Sequence, residues 1–302
     1  MKIFVFNILW IILGVASLNS LLAHQSPKSW EHVEEILGAK GAVQPGEVFK
    51  IAQPRSDLNV TRGTLRVAPT LALTSWMAFK EVEGGGVVVH GDLCLREEEV
   101  NPVISRLMQG GIETTALHNH ISSEQPRVMF LHFWGHGEAK PLAETLRAAL
   151  ELAGGIQSPP KPLGETLDQE ELERILGQKG KLAAGVVQFG IPRPFPIRMH
   201  GIILPPAMGM ATAINFQPTA AGAATTGDFV LREEELAPVL ETLRAHHIEI
   251  TAVHNHMLND DPRMVFVHFW GEGKPGELAR GLRAALDTLT TAPRAEATGV
   301  GR

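Results

Sequence analysis

The sequence predicts an α+β protein, built as a tandem duplication of a ferredoxin-like β-α-β-β-α unit with extra upstream strands. Residues 91–137 align without gaps with residues 227–273, at an offset of 136 and with 25 identities in 47 positions. Within each copy, β-branched runs alternate with runs of helical periodicity, which indicates strands alternating with helices. The length of 302 residues suits two units of this size.

Each element of the unit follows from its local pattern. A short helix opens it at residues 34–41, which match residues 173–180 with a three-residue shift, and two or three strands with poor alternation, such as GTLRVAP and TSWMAF, come next. The rest of the unit is predicted as three strands and two helices. The strands are GVVVHGDLCL, IETTALHNH and RVMFLHFWG, with SSEQP as a turn between the last two. The amphipathic helix EEEVNPVISRLMQGG follows the first strand, and the helix AKPLAETLRAALELAG follows the third. The acidic REEE turn before the first helix is expected to be solvated, where its charges complement the helix dipole.

The repeats set the domain boundaries. Repeat domain 1 is predicted over residues 28–157, a Pro-rich linker over 158–166, repeat domain 2 over 167–290 and a flexible tail over 291–302.

Residues 1–23 have one lysine followed by an uncharged apolar run, which predicts a signal peptide ending at Ala23. An uncleaved membrane anchor is the alternative. Either way the chain is expected to be exported, to a periplasmic or extracellular location.

Composition narrows the classes of partner. The formal charge of −6 and pI near 6.1 argue against a nucleic-acid partner, and a membrane partner is expected only if the N-terminal segment stays uncleaved. Cys94 is the only cysteine in the sequence, which excludes an intramolecular disulfide and a multi-cysteine zinc site. The sequence has no G-x-S-x-G, P-loop or H-E-x-x-H motif. A binding role is therefore favoured over catalysis, and the oligomeric state stays open.

Each repeat carries the same histidine pattern. TALHNH at residues 115–120 recurs as TAVHNH at residues 251–256, and the following strand adds a third histidine within HFWG. Since side chains alternate along a strand, the two histidines of H-N-H are expected to share a face, with Thr114 and Ala116 (Ile250 and Ala252 in the second copy) behind them. The third histidine joins them only if the hairpin register allows it, which the sequence does not fix. The predicted ligand sets are His118, His120 and His132 in one lobe, and His254, His256 and His268 in the other.

Three imidazoles from neighbouring strands match the nitrogen ligands that zinc and copper take in proteins. The expected cofactor is therefore a divalent transition metal, zinc or copper, and the expected partner is a metal or a small ligand bound to it. Four acidic side chains could orient a histidine or donate an oxygen: Glu113 or Glu249, and Asp92 or Asp228. The remaining nearby histidine, His90, is matched by Thr226 and is interpreted as incidental.

Three functions stay open at this point. The first is an exported binding protein whose histidines hold a transition metal or a metal-bound ligand. The second is a metal-assisted hydrolase, in which an open coordination position activates water and Glu113 or Glu249 acts as the base. The third is a structural or partner-binding envelope protein, in which the histidines brace the hairpins as hydrogen-bonded core residues.

The strings GD, LREEEVNP, TALHNH and PRVMFLHFWG give the chain a family resemblance. Over both repeats it resembles the LppY/LpqO-type family of bacterial exported proteins. The resemblance implies export and supports the repeat boundaries, and it implies no activity because the family has none established. Members are often described as lipoproteins, and this chain departs from them because it has no lipobox cysteine near residue 20.

Overall fold

The computed structural model describes residues 30–289. The predicted signal peptide (residues 1–23) and the predicted tail (residues 291–302) lie outside the described residues. Between residues 30 and 289, no helix combines the length and the apolar character needed to cross a membrane.

The first repeat runs from α1 to α4. Its helices are α1 (Glu31–Leu37), α2 (Pro69–Ala72), α3 (Glu97–Gln109) and α4 (Ala139–Leu152). Its strands are β1 (Ala42–Gln44), β2 (Val48–Pro54), β3 (Thr61–Arg62), β4 (Leu65–Arg66), β5 (Thr74–Glu81), β6 (Val87–Arg96), β7 (Glu113–His118), β8 (Glu124–Gln125) and β9 (Val128–Gly137). Of the two or three upstream strands expected from the sequence, TSWMAF lies in β5, whereas GTLRVAP forms only the two-residue β4.

The second repeat has the same order of elements. Its helices are α5 (Gln169–Leu176), α6 (Leu236–Ala245) and α7 (Pro275–Asp287), with short 3-10 turns at Pro206–Met208 and Glu233–Glu235. Its strands are β10 (Lys181–Ala183), β11 (Val186–Pro192), β12 (Ile197–Met199), β13 (Ile202–Leu204), β14 (Ala211–Thr219), β15 (Gly222–Arg232), β16 (Glu249–His254), β17 (Asp260–Asp261) and β18 (Met264–Gly273). The turn at Pro206–Met208 occupies the place that α2 has in the first repeat. The prediction of a duplicated α+β unit is confirmed.

Each repeat forms one six-stranded antiparallel sheet. The strand order is β1-β2-β5-β6-β9-β7 in the first repeat and β10-β11-β14-β15-β18-β16 in the second. Because β9 lies between β6 and β7, the connection through α3 is the split β-α-β of ferredoxin-like folds. Two three-stranded sheets, β4-β3-β8 and β13-β12-β17, lie beside the main ones.

The two main sheets pack against each other and the helices cover their outer faces. In β6, alternate residues serve the two sides: Val89 and Leu93 pack with the helices of their own repeat, while Val88 and Cys94 pack with residues of the other repeat. Phe130 of β9 likewise shares a cluster with Trp270 of the second repeat. The layers therefore run helices, sheet, sheet, helices, and the inner faces of both sheets meet at the centre of the molecule.

The REEE turn is only partly solvated. Glu97 and Glu98 are exposed as expected, but Glu99 is 3% exposed and accepts a hydrogen bond from Arg55, 2.9 Å away. Glu99 also accepts from the backbone N–H of Arg96, which caps α3. The expectation of a solvated turn is wrong for this residue, because a buried arginine from a distant part of the chain takes the carboxylate. Arg193 and Glu235 make the same pair in the second repeat, at 2.6 Å.

Candidate metal centre between the two repeats

The T-A-x-H-N-H motif begins at a β-bulge. In the pairing of β7 with β9 the register shifts between Thr114 and Ala116, so that Ala116 lies opposite His132 and Thr114 lies opposite Phe133. Residues opposite each other on paired strands share a face, and Phe133 faces the helices. Thr114 is therefore not behind His118 as the alternation predicts, because the bulge inserts one residue, Thr115, into the strand.

The bulge recurs in the second repeat between Ile250 and Ala252, which turns Ile250 to the helix side and corrects the same expectation there. β7 also ends at His118 and β16 at His254. His120 and His256 thus lie in the loops that follow the strands. Each nevertheless returns to the inner face, where its ring stacks on a phenylalanine at a centroid distance of 3.4 Å: Phe130 for His120 and Phe266 for His256.

The bulge threonine and the asparagine of the motif join the two repeats. The hydroxyl of Thr115 donates to the carbonyl of His256 at 2.5 Å, and that of Thr251 donates to the carbonyl of His120 at 2.7 Å. The Asn119 amide donates to Thr251 O and the Asn255 amide donates to Thr115 O, both at 3.0 Å. We call these four hydrogen bonds of Thr115, Thr251, Asn119 and Asn255 the Thr–Asn lock. Because each bond from one repeat is matched by the same bond from the other, the two repeats are related by an approximate two-fold axis.

The six predicted histidines lie together as one cluster on this axis. His118 and His254 stack across it with ring centroids 3.7 Å apart. His120 lies 4.1 Å from His268, and His132 lies 3.9 Å from His256. Within each repeat the third histidine does lie on the face of the first, at 4.9 Å for His118 and His132 and 4.8 Å for His254 and His268. The expectation of a separate site in each lobe is corrected, because the face-to-face packing of the sheets merges the two sets.

Four of these rings have a fixed tautomer. Each of the four Nδ1 atoms lies close to a backbone carbonyl oxygen. The distances are 3.3 Å from His118 to Asn119 and 2.9 Å from His254 to Asn255. They are 3.1 Å from His132 to Gly91 and 2.8 Å from His268 to Gly227. A carbonyl only accepts, so each Nδ1 carries the proton and each Nε2 carries a lone pair. Among the residues that the structure describes, these four buried Nε2 atoms have no hydrogen-bond partner. This is the arrangement in which histidine binds a metal through Nε2.

The possible ligand atoms form three overlapping groups, within each of which they lie less than 4.8 Å apart. The groups are His118 with His254 and His268, His132 with His254 and His256, and Asp92 with His118 and His132. Two of the three groups draw histidines from both repeats, and the third adds a carboxylate. The donor set of nitrogen with some oxygen is one that zinc and copper accept.

Two aspartates flank the cluster symmetrically. Asp92 Oδ2 lies 3.2 Å from His120 Nε2, and Asp228 Oδ2 lies 2.8 Å from His256 Nε2, although the latter atoms are not aligned for a hydrogen bond. Burial raises the pKa of Asp92 to about 8. The glutamates suggested by the sequence lie elsewhere: Glu113 is exposed at the start of β7, and Glu249 is about half exposed and pairs with Arg62 at 2.6 Å.

Burial keeps most of the cluster uncharged. Desolvation is the largest cause in every case: it lowers the pKa of His120 to about 3 and lowers the pKa of His118, His132, His256 and His268 well below the ordinary value. These five rings are therefore neutral at pH 7, which is the form that binds a metal.

His90 belongs to the same cluster, and its interpretation as incidental is wrong. It is fully buried, its ring stacks 5.6 Å from that of His132, and its Nδ1 donates to the carbonyl of Met208 at 3.0 Å. The signal was present in the sequence, because His90 precedes Asp92 by two residues on one strand and so shares its face. In the second repeat Thr226 takes this place and donates to the carbonyl of Phe269.

The second asymmetry is an entrance. Trp76 lies opposite Asp92 in the first sheet, whereas Ala213 lies opposite Asp228 in the second. Beside Ala213, a cavity of about 510 Å³ that has Trp76 as another wall reaches Asp228 and His256. Asp228 is 13% exposed, against 3% for Asp92, whereas the adjacent histidines have the opposite order, with 5% for His256 and 18% for His120. The cluster can be reached from solvent at the Asp228 side.

Comparison with solved structures gives two distant likenesses. The trimeric bacterial microcompartment shell protein PduB is 12% identical, over 83% of this chain and 91% of that chain, with a TM-score of 0.22. EtuB from Clostridium kluyveri is 8% identical, over 82% of this chain and 88% of that chain, with a TM-score of 0.20. At these scores the likeness supports no inference about this protein.

No curated protein matches the sequence. A family model does match, and it matches twice, over residues 31–152 and 170–288, so that each repeat is one copy and the two together span well over half of the chain. The chain therefore belongs to the family described as Domain of Unknown Function (DUF1259).

Proposed function

We propose that this protein binds a divalent transition metal, zinc or copper, in the histidine cluster between its repeats. The observation that carries the proposal is that the buried Nε2 atoms of His118, His132, His254 and His268 make no hydrogen bond within residues 30–289, each on a ring whose Nδ1 is held by a backbone carbonyl. An unsatisfied buried polar atom costs about 1–3 kcal/mol. Such atoms are costly in the metal-free protein, and one cation held by the group of His118, His254 and His268 would satisfy three of them together.

The contacts between the repeats favour binding over bracing. A brace between the repeats needs hydrogen bonds from one to the other, and here the Thr–Asn lock makes them with threonine and asparagine side chains. The fixed imidazoles of His118 and His254 donate only within their own repeat, to the next residue along the chain. The histidines are therefore not needed to join the repeats, although His132 and His268 each bond to the neighbouring strand of their own sheet. The motif then has two separate roles, the lock and the ligands.

A hydrolase is the weaker alternative. Glu113 is exposed at the start of β7 and Glu249 pairs with Arg62 at 2.6 Å, so neither expected base lies in the cluster. The entrance beside Asp228 does give a small molecule access to the site. Access is needed for metal exchange and for ligand binding as well, so it does not by itself favour catalysis.

We also propose that the protein acts outside the cytoplasm, as an exported periplasmic or extracellular protein similar to LppY/LpqO-type proteins. The support is the uncharged apolar run before Ala23 and the motifs of that resemblance. N-terminal sequencing of the exported protein is expected to start near His24. Material that retains Lys2 would favour a membrane anchor, and recovery from the cytoplasm alone would refute export.

Elemental analysis of the purified chain tests the metal site. The protein is expected to contain zinc or copper, or to take up at least one equivalent of either when purified metal-free. A His118→Gln/His254→Gln double variant should lose this uptake, because both residues contribute to the overlapping ligand groups. The matched control is His136→Gln/His246→Gln, which changes two exposed histidines outside the cluster and should leave uptake unchanged. Equal uptake by both double variants would refute the proposal.

A further inference from the structure

The cavity at the Asp228 side is lined mainly by glycine, alanine and proline. Most of its lining is small or apolar, including Gly190 and Ala213 of neighbouring strands, and its rim is formed by exposed prolines. Trp76 forms one side and His256 lies at the inner end. Its volume of about 510 Å³ is within the range of sites for small organic molecules. The lining therefore suits a compact, largely apolar molecule.

One cation faces this cavity. The Lys50 ammonium lies 4.1 Å from the centre of the Trp76 ring and donates one hydrogen bond, to the carbonyl of Ala207 at 2.9 Å. Burial lowers the pKa of Lys50 to about 8, so that the cation still predominates at pH 7. Two of its three N–H groups lie beyond that bond and can donate to a ligand.

The second repeat shows that the hydrogen bond which Lys50 makes to the other repeat does not require a charged side chain. Gln188 is the third residue of β11, as Lys50 is the third residue of β2, and it donates to the carbonyl of Thr70 at 2.8 Å. Thr70 lies in α2, whose place in the second repeat is taken by the turn that holds Ala207. A neutral amide thus makes the equivalent bond between the repeats. The charge of Lys50 is an addition at the side where the cavity lies.

We propose that the cavity binds a small organic carboxylate, with the carboxylate on Lys50, the apolar body against Gly190 and Ala213, and the inner end at the metal beside His256 and Asp228. This inference rests on the proposed metal site. A single ammonium suits a monoanion, whereas a phosphate dianion is usually held by several charged or backbone donors. The small residues supply the room that Trp76 removes on the other side.

Calorimetry on the zinc-loaded full chain tests the inference, with acetate, butyrate and benzoate as probes and benzamide as the neutral counterpart of benzoate. At least one carboxylate should bind, and benzoate should bind at least tenfold more tightly than benzamide. Lys50→Met should weaken carboxylate binding at least tenfold, while Gln188→Met, which loses the equivalent structural bond, should not change it. Gly190→Leu should abolish binding by filling the cavity, since a side chain there begins in open space.

The outcomes separate the two proposals because zinc content is measured on every sample. A zinc-loaded chain that binds none of the three carboxylates overturns this inference and leaves the metal site intact. Unchanged affinity in Lys50→Met or in Gly190→Leu, with zinc retained, also overturns it, as does tighter binding of inorganic phosphate than of benzoate. A chain that takes up neither zinc nor copper overturns the proposed function and this inference with it.

Discussion

Asn119→Ala tests whether the Thr–Asn lock, rather than the imidazoles, holds the repeats together. The Asn119 amide donates to the carbonyls of Ile121 at 2.8 Å and Thr251 at 3.0 Å. A hydrogen bond of this kind contributes about 1 kcal/mol net, and a carbonyl left without a partner adds to the loss. The substitution is therefore expected to lower the free energy of unfolding by about 2 kcal/mol. Asn255→Ala removes the equivalent pair of bonds, at 3.0 and 3.1 Å, and should cost the same.

Urea unfolding of the metal-free full chain, followed by far-UV circular dichroism, measures this loss. His118→Gln is the comparison, and it should cost about 1 kcal/mol, because it loses only the bond from Nδ1 to the carbonyl of Asn119 at 3.3 Å, while its Nε2 makes no hydrogen bond in the described structure. The test is whether Asn119→Ala loses more free energy of unfolding than His118→Gln does. If His118→Gln destabilises the metal-free protein as much as Asn119→Ala does, the histidines are struts and the argument for a metal loses its basis.

Three further predictions concern single residues of β6 and β15. Gly227→Ala should lower the free energy of unfolding by about 3 kcal/mol, since the added Cβ would collide with the carbonyl oxygen of Ala213; an unchanged melting temperature would contradict this. Burial raises the pKa of the Cys94 thiol, so iodoacetamide should label it only after unfolding; rapid labelling of the folded chain would show that this face is open. The Asp92 carboxyl has its pKa raised to about 8 by burial, so it is protonated at pH 7 and a metal must displace that proton. Zinc uptake at pH 7 should therefore release about one proton and tighten up to about pH 8, whereas Asp92→Asn should show no release in calorimetry across buffers.

The fold could be predicted from the sequence because its pattern is local and occurs twice. Val100, Val103 and Leu107 recur at helical spacing, and all three are buried on α3 as expected. The gapless offset between the copies required the same order of elements in both repeats. The buried pair of Arg55 with Glu99 could not be predicted, for the opposite reason: its partners are 44 residues apart and nothing near either residue indicates the other.

The candidate site could be predicted only in its residue types. The histidines were found, but their merging into one cluster depends on how two sheets pack face to face, and strand alternation carries no information about that. The bulge at Thr115 was also beyond the sequence, because a strand with one inserted residue has the same composition as a regular one. His90 is the exception, since two-residue spacing from Asp92 placed it on the same face.

Trp76 and Ala213 lie at equivalent positions of the two repeats, and this difference is possible only because both copies belong to one polypeptide. In a dimer of identical single-domain chains, every substitution occurs on both sides of the axis, so a residue small enough to admit a molecule on one side would leave a hole on the other. A chain that contains both copies is free of this constraint. It can place an indole opposite one aspartate and an alanine opposite the other, so that a cavity bordered by both side chains reaches the histidine cluster.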